Sequence, residues 1–236
     1  MQAVRRSAGE EAQMKAVVVF SGGIDSLCMC AHLRKKYRLY GITFLYGQRA
    51  RRESRAARRC AEIAGLKEHR TAKMEFMGDL YGGSNVLTDS RRRIPASFEG
   101  SIVVPVRNAV FLSVAAAWAY SIGAALVAYG AHTGDGNYPD CRPAFAKRME
   151  SALNLGEADA INKGTRKALY IWSPYREGLS KADLLKTGHD AFGDEIFQAW
   201  SCYADGKKHC GKCESCSNRK AAFAKAGIDD ATAYAA

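Results

Sequence analysis

The chain has 236 residues, of which 47% are hydrophobic and 25% charged, a balance that is ordinary for one globular domain with a sizeable core. Its net charge of +11 favours anionic partners such as nucleotides, RNA or an acidic small substrate. No run approaches the roughly 18 uninterrupted apolar residues that span a bilayer, so we expect no membrane partner. Residues 1–13 contain arginines but no apolar h-region, and we predict a disordered tail there, not a secretory signal.

The first predicted element is a buried parallel strand at residues 16–19, where four small or β-branched apolar residues stand in a row. Residues 20–26 follow it and read Phe-Ser-Gly-Gly-Ile-Asp-Ser, after which apolar residues recur at helical spacing. A strand, a glycine turn and a helix form a geometry in which backbone N–H groups converge on an anion. We expect Gly22 and Gly23 to permit the turn and to leave room for a phosphate.

This glycine turn matches neither GxxxxGK[ST] nor GxGxxG. It resembles the SGGxDS loop of the N-type ATP pyrophosphatases, which cleave ATP to AMP and pyrophosphate. The alternative is an ordinary turn of small residues, but six matching positions between a strand and a helix favour the nucleotide site. The residues predicted to hold ATP are Phe20, Ser21, Gly22, Gly23, Ile24, Asp25, Ser26 and Leu27.

The rest of the chain alternates strands with helices. We predict strands at residues 39–46, 68–72, 125–130 and 168–172, and helices at residues 49–64, 108–119, 144–153 and 217–226. Residues 78–100 are rich in glycine, polar residues and arginine, and are predicted to form a functional loop or lid. The alternation indicates an α/β fold with a Rossmann-like parallel sheet flanked by helices, in which ligands collect at the carboxyl ends of the strands.

Polar clusters follow several of these strands. They are Tyr46-Gly47-Gln48, residues 131–142 and Ser173-Pro174, and residues 104–108 open the apolar helix. Because the carboxyl ends of parallel strands share one edge of the sheet, we expect these clusters to surround one crevice that faces the glycine turn.

Four cysteines are clustered near the C-terminus. Cys202, Cys210, Cys213 and Cys216 have the spacing C-x7-C-x2-C-x2-C, which supplies four thiolates for a tetrahedral Zn²⁺. An iron–sulfur cluster is the main rival, whereas disulfides are disfavoured in the reducing compartment that we expect for this chain. Four protein ligands leave no open position, so we predict one structural zinc that pins a short C-terminal segment.

Arginines form two blocks, at residues 49–59 and 91–93. No aromatic residues interleave with them, and a solvated basic surface is favoured over a nucleic-acid interface. We therefore expect no nucleic-acid partner.

In combination, these motifs resemble one family. They are Tyr46-Gly47-Gln48-Arg49, Val104-Pro105-Val106-Arg107-Asn108, Tyr138-Pro139-Asp140-Cys141-Arg142, Leu179-Ser180-Lys181-Ala182-Asp183 and the cysteine cluster that opens with Ser201-Cys202-Tyr203. The family is the 7-cyano-7-deazaguanine synthase of the queuosine and archaeosine pathways, and the resemblance covers about residues 15–227. Members commonly carry glycine where Val106 stands and often threonine where Leu27 stands. If that glycine allows the backbone to approach a ligand, Val106 would narrow the pocket or change the ligand that fits.

The resemblance implies an adenine nucleotide alpha hydrolase-type fold, with an ATP pyrophosphatase domain at residues 14–200 and a zinc-binding segment at residues 201–236. It implies a cytoplasmic homodimer that uses ATP, Mg²⁺ and ammonia to convert 7-carboxy-7-deazaguanine to the nitrile. The implied catalytic residues are Asp25, Ser26, Arg107 and Lys181. The implied substrate contacts are Arg107, Asn108, Tyr138 and Asp140. Tyr138 would stack on the guanine-like ring, and Asp140 would accept hydrogen bonds from the N–H groups at the edge of that ring.

Other interpretations remain open from the sequence. One alternative is a paralogue that stops at the amide or passes the activated acyl group to another amine, and a second is a tRNA-modifying enzyme of the same superfamily. A zinc-stabilised nucleotide-binding module without turnover is a third alternative. Lys181 could be a surface lysine at a helix start and Asp140 a turn residue beside Pro139. Cys141 has only its loop position in favour of a nucleophilic role, and we assign it to packing.

Overall fold

Five parallel strands form one sheet in the computed structural model, which describes residues 13–235. The strands are β1 (Met14–Val19), β2 (Tyr37–Leu45), β3 (Glu68–Lys73), β4 (Leu126–Ala128) and β5 (Tyr170–Trp172). Their spatial order is β3-β2-β1-β4-β5, and the predicted α/β class is confirmed. The predicted tail at residues 1–13 lies outside the described residues, except for Gln13.

Strand β1 lies at the centre of the sheet, with Val17 paired to Tyr40 of β2 on one side and to Val127 of β4 on the other. The order of the strands reverses between β1 and β4. In open parallel sheets such a reversal leaves a crevice at the carboxyl ends of the two strands, and ligands bind there. The glycine turn follows β1, and the polar residues 131–142 follow β4, so both flank this crevice.

Helices cover both faces of the sheet. They are α1 (Ile24–Leu33), α2 (Arg51–Ala64), α3 (Phe76–Tyr81), α4 (Arg107–Ile122), α5 (Pro143–Gly156), α6 (Ala158–Asn162), α7 (Lys181–Phe192) and α8 (Glu214–Ala226). One apolar cluster joins Ala16 and Val18 to α1, α2, α7 and α8, and a second joins Val17 to α4 and α5. Successive side chains of β1 point to opposite faces and both faces are buried, which explains its unbroken apolar run.

Helix α4 is strongly apolar. By length and composition alone, the stretch Gly100–Ile122 could cross a membrane, with 44% of its apolar window buried inside the protein. The helix proper is 16 residues long, and its buried residues include Phe111, Leu112 and Ala115, which belong to the second apolar cluster. It is therefore a core helix of the α/β fold.

Helix α7 carries Lys181 at its first position, after a reciprocal cap. The Ser180 hydroxyl accepts the Asp183 N–H at 3.3 Å, and the Asp183 carboxylate accepts the Ser180 N–H at 2.9 Å. The helix lies close against α1, because a Cβ on Gly188 would come within 2.3 Å of the Cys28 sulfur. This contact shows that α7 packs closely on α1, the helix that begins directly after the glycine turn.

The predicted excursion at residues 78–100 is held by an arginine. The Arg49 guanidinium donates to the carbonyl oxygens of Val86, Asp89, Ser90 and Arg92 at 2.8–3.4 Å. At least this member of the first arginine block therefore binds the protein's own backbone.

Candidate active site and metal centre

The glycine turn is closed by its own hydrogen bonds. The Gly23 N–H donates to Ser21 Oγ at 3.1 Å, and Ser26 Oγ donates to the Gly23 carbonyl at 2.9 Å. The two serine hydroxyl oxygens are 3.4 Å apart. Since Gly23 precedes the first residue of α1, both hydroxyls stand at a helix N-terminus, where anions are favoured.

Gly22 has a different role from the one expected. Its φ of +84° is in the left-handed region, and a Cβ there would lie 2.3 Å from the Ala57 nitrogen in α2. The missing side chain therefore admits helix α2, and the expectation that it makes room for a phosphate is corrected at this position.

A cavity of roughly 290 Å³ opens at the carboxyl ends of β1 and β4. Eight predicted ATP, catalytic or substrate residues line it, namely Phe20, Ser21, Asp25, Ser26, Arg107, Asn108, Tyr138 and Lys181. Five do not: Gly22, Gly23, Ile24, Leu27 and Asp140. Ile24 and Leu27 belong to the apolar core beneath the turn.

Asp25 and Lys181 form an ion pair in this cavity. Lys181 Nζ lies 2.8 Å from Asp25 Oδ2, and the lysine side chain is only 13% exposed, so it is not a surface lysine. Burial alone would raise the pKa of Asp25, but Lys181 and His132 outweigh it and hold that pKa below its usual value. Asp25 Oδ1 is buried and has no hydrogen-bond partner in residues 13–235, so it is available to a cation or a ligand donor.

His132 and Asp135 also line the cavity, and sequence reasoning gave neither a role. His132 Nδ1 accepts the Gly134 N–H at 3.1 Å, and its Nε2 lies 3.8 Å from Asp25 Oδ1. Asp135 accepts the His132 backbone N–H at 2.8 Å, and burial raises the pKa of its carboxyl. Their position after β4 was a signal for the crevice, but not for a particular chemistry.

Arg107, the first residue of α4, is a second cation that lines the cavity. It donates to the Tyr46 hydroxyl at 3.2 Å, and Tyr46 keeps the pKa of the guanidinium high despite its burial. Glu53 of α2 lines the same space. Burial raises its pKa to about 7, although Arg107 and Ser21 act in the opposite direction. Sequence reasoning missed Glu53, which was hidden inside an arginine-rich helix.

Asp140 is not among the residues that line the cavity. Its carboxylate is 3.4 Å from the Asn108 backbone nitrogen and accepts that N–H at the start of α4. Asn108 Nδ2 donates to Cys141 Sγ at 3.5 Å. Burial raises the pKa of the Cys141 thiol, and Asp135 and Asp140 raise it further, which is unfavourable for a nucleophilic thiolate.

Val106 adopts a left-handed backbone with φ 59° and ψ 8°, directly before α4. Among the non-glycine residues described, it alone has a positive φ. Its side chain is 66% exposed and does not line the cavity. The expectation that Val106 narrows the pocket is therefore wrong, and the backbone conformation explains why glycine suits this position.

The four clustered cysteines meet as predicted. Their sulfur atoms all lie within 4.8 Å of one another, with Cys202–Cys213 at 4.0 Å and Cys210–Cys216 at 3.9 Å. Zinc–sulfur bonds of about 2.3 Å place the sulfurs of a tetrahedral site about 3.8 Å apart. Backbone N–H groups of Ala204 and Cys210 donate to the Cys202 sulfur at 3.3 Å. The cluster thus fits a metal ion such as zinc.

The C-terminal segment also builds one wall of the cavity. It contributes Ser201, Cys202, Tyr203 and Glu214 to the lining, and the backbone N–H of Trp200, just before it, donates to the Gly22 carbonyl at 3.0 Å. Sequence reasoning read this segment only as a metal site, so Tyr203 and Glu214 were missed.

A doubly wound parallel sheet with a glycine turn at its switch point defines a Rossmann-like α/β protein. The family model described as queuosine biosynthesis protein QueC matches residues 15–227, and the chain belongs to this family. The predicted resemblance is confirmed, and with it the prediction of an enzyme of the 7-cyano-7-deazaguanine synthase family.

Relatives with this family's activity in their names match almost end to end. The chain is 40% identical to the 7-cyano-7-deazaguanine synthase of Stutzerimonas stutzeri, over 94% of this chain and 99% of that protein. It is 37% identical to the synthase of Psychromonas ingrahamii, over 93% and 97% respectively. The crystal structure of a predicted tRNA methyltransferase subunit from Methanocaldococcus jannaschii aligns with a TM-score of 0.41 and 17% identity, over 79% of this chain and 92% of that one.

Proposed function

We propose that this chain is an ATP-dependent ligase that converts 7-carboxy-7-deazaguanine and ammonia to 7-cyano-7-deazaguanine. The observation that carries the proposal is the Asp25–Lys181 pair, 2.8 Å apart, at the serine-lined glycine turn in the cavity that also contains Arg107. A turn suited to anions, together with the cations Lys181 and Arg107 in the same cavity, suits the joining of a carboxylate to a phosphate.

Two activation steps, each with one ATP, remove the two carboxylate oxygens of the substrate. A carboxylate oxygen of the substrate attacks the ATP α-phosphorus and pyrophosphate leaves, after which ammonia displaces AMP to give the amide. The amide oxygen attacks a second ATP in the same way, and loss of AMP and the amide protons leaves the nitrile. Each carboxylate oxygen therefore departs on one AMP, so the reaction consumes two ATP per nitrile.

The protein contributes position and charge. In this proposal Ser21 and Ser26 bind phosphate oxygens, and Lys181 and Arg107 stabilise the charge that grows at the α-phosphorus. Asp25 orients Lys181 through one carboxylate oxygen. Its other oxygen, Oδ1, has no hydrogen-bond partner in the described chain and would hold Mg²⁺, which supplies charge neutralisation for the leaving pyrophosphate.

The two rival enzymes have weaker support. The paralogue that stops at the amide was suggested by Val106, whose side chain does not line the cavity. The tRNA-modifying enzyme would use the arginine blocks, but Arg49 already donates to four backbone carbonyls. We further propose a homodimer located in the cytoplasm, as the family resemblance implies, and light scattering would check the dimer.

Mass spectrometry of the products tests the reaction. With ATP, ammonium and substrate carrying ¹⁸O in both carboxylate oxygens, we expect the nitrile and two AMP molecules, each with one ¹⁸O. The amide alone would indicate the paralogue, and ATP that stays intact would indicate a binding module without turnover.

Lys181→Ala tests the assigned cation. We expect pyrophosphate release to slow by roughly 10²- to 10³-fold, as for other groups that stabilise transition-state charge. Lys186→Ala, on an exposed lysine of the same helix, is the matched control and should leave the rate unchanged. A wild-type rate in the Lys181 variant would contradict its assignment.

A further inference from the structure

Glu214 is a buried carboxylate that faces the cavity from the first turn of α8. Its residue is 7% exposed, Oε2 accepts the Tyr203 hydroxyl at 2.9 Å, and Oε1 accepts Asn218 Nδ2 at 2.6 Å. Within residues 13–235, no lysine, arginine or histidine nitrogen lies within 4.0 Å of it. A buried carboxylate without a cation is costly, so a site of this kind is suited to a ligand that brings its own donors.

The surroundings of Glu214 narrow the class of that ligand. Tyr203 and Tyr138 line the cavity beside it, and the Phe98 ring meets the Tyr138 ring edge-on, with centroids 5.1 Å apart. Aromatic rings of this kind favour a flat ligand. Each carboxylate oxygen accepts one protein donor and retains capacity for a second, so Glu214 can receive two parallel N–H bonds from one ring edge.

We infer that Glu214 recognises the guanine-like edge of the substrate, by accepting its ring N–H and its exocyclic amino N–H. This inference rests on the proposed function, since it assigns the second end of the same substrate. The substrate carries a carboxylate at one end and the N–H pair at the other. The cavity offers the cations Arg107 and Lys181 for the first end and Glu214 for the second.

Asp140 is the alternative acceptor for the N–H groups of the substrate, because the family resemblance in the sequence implied this role for it. The structure places its carboxylate against the Asn108 N–H at the start of α4, and it does not line the cavity. Glu214 therefore replaces it as the acceptor. The two variants Glu214→Gln and Asp140→Asn remove the same charge with almost the same shape, and they discriminate between the two residues.

Calorimetry with a non-hydrolysable ATP analogue present tests the inference. Two ligands are compared: 7-carboxy-7-deazaguanine and its counterpart without the exocyclic amino group. We expect the wild type to bind 7-carboxy-7-deazaguanine roughly 10- to 150-fold more tightly than the ligand without the amino group. One hydrogen bond to a charged group contributes a factor of this size. Glu214→Gln should weaken the binding of 7-carboxy-7-deazaguanine by at least that factor and reduce the difference in affinity between the two ligands. Asp140→Asn should keep both wild-type affinities.

Two further readouts separate recognition from folding. The Glu214 variant should retain its metal content and its Kd for the ATP analogue, because only the ring edge is affected. Wild-type affinity and discrimination in Glu214→Gln, or their loss in Asp140→Asn alone, would overturn the inference while the proposed function stands. A wild-type protein that binds neither ligand would overturn both.

Discussion

Glu53 is an acidic side chain inside the cavity, and its environment sets a measurable pH dependence. Burial raises the pKa of its carboxyl from 4.5 to about 7, so the folded protein holds this proton more tightly than the unfolded chain. Stability therefore falls as pH rises between about 4.5 and 7. Glu53→Gln removes this effect. Between pH 5 and pH 8 we therefore expect the stability of the variant relative to the wild type to increase by about 2–3 kcal/mol.

Urea unfolding of both proteins at the two pH values measures this difference. Glu99→Gln, on an exposed glutamate, controls for the loss of one negative charge and should show no such gain. A stability difference between wild type and Glu53→Gln that does not change with pH would contradict the raised pKa.

The position of a single residue at the cavity was predictable where the local backbone determines that position. Ser21, Asp25 and Ser26 stand on one short turn after a buried strand, so the sequence placed them at the cavity. Glu53 and Glu214 reach the same cavity only because α2 and the cysteine segment pack against that turn. The sequence around Glu53 indicates an arginine-rich helix, and the sequence around Glu214 indicates a metal site. Neither pattern indicates that the residue lies at the cavity.

At the level of single elements, helix α4 begins at a strained residue. Val106 holds φ 59°, a conformation that costs a β-branched residue about 1–3 kcal/mol. Glycine adopts it without strain but loses about 0.5–1 kcal/mol of chain entropy on folding. We expect Val106→Gly to stabilise the protein by about 1 kcal/mol and to raise the melting temperature by about 2–4 °C.

Val103→Gly is the matched control, since it makes the same substitution three residues earlier at φ −79°. Glycine relieves no strain there and should lower the melting temperature in calorimetry. The affinity for substrate should be unchanged in Val106→Gly because its side chain lies outside the cavity lining. A lower melting temperature for Val106→Gly would show that the left-handed conformation carries no net cost.

The order of elements was predictable because strands and helices alternate with distinct apolar periods. The five predicted strands all occur, and the glycines at 123 and 227 end α4 and α8 in the left-handed conformation. The excursion at residues 78–100 was not predictable in detail, since hydrogen bonds from distant parts of the chain hold it in place. Arg49, far back in the chain, donates to carbonyls that no local pattern marks as acceptors.

At the level of the whole molecule, the C-terminal segment that carries the four cysteines packs against the glycine turn. The Trp200 N–H donates to the Gly22 carbonyl at 3.0 Å, and Phe223 of α8 belongs to the same apolar cluster as α1. Arg219, fully buried, donates to Ser201 Oγ at 3.0 Å and to Thr232 Oγ1 at 2.8 Å. A metal bound by the four cysteines would therefore stabilise a wall of the cavity as well as the C-terminal segment.

Loss of that metal should affect both stability and ligand binding. Zinc contributes about 10–16 kcal/mol to small motifs that fold around it. Even a loss of about 3 kcal/mol here would lower the melting temperature by about 6–12 °C. We expect one zinc per chain by elemental analysis. Cys210→Ser should bind little zinc, melt earlier and bind 7-carboxy-7-deazaguanine more weakly, because Tyr203 and Glu214 lose their support.

Cys141→Ser is the control, since Cys141 also lies at the cavity but belongs to no metal cluster in the described chain. It should keep its zinc and its melting temperature. Iron in the elemental analysis, with a visible charge-transfer band, would identify the site as an iron–sulfur cluster. Such a cluster would support the cavity wall in the same way. Cys210→Ser that loses its metal but keeps the wild-type melting temperature and substrate affinity would contradict this role, because the cavity wall would then stand without the cluster.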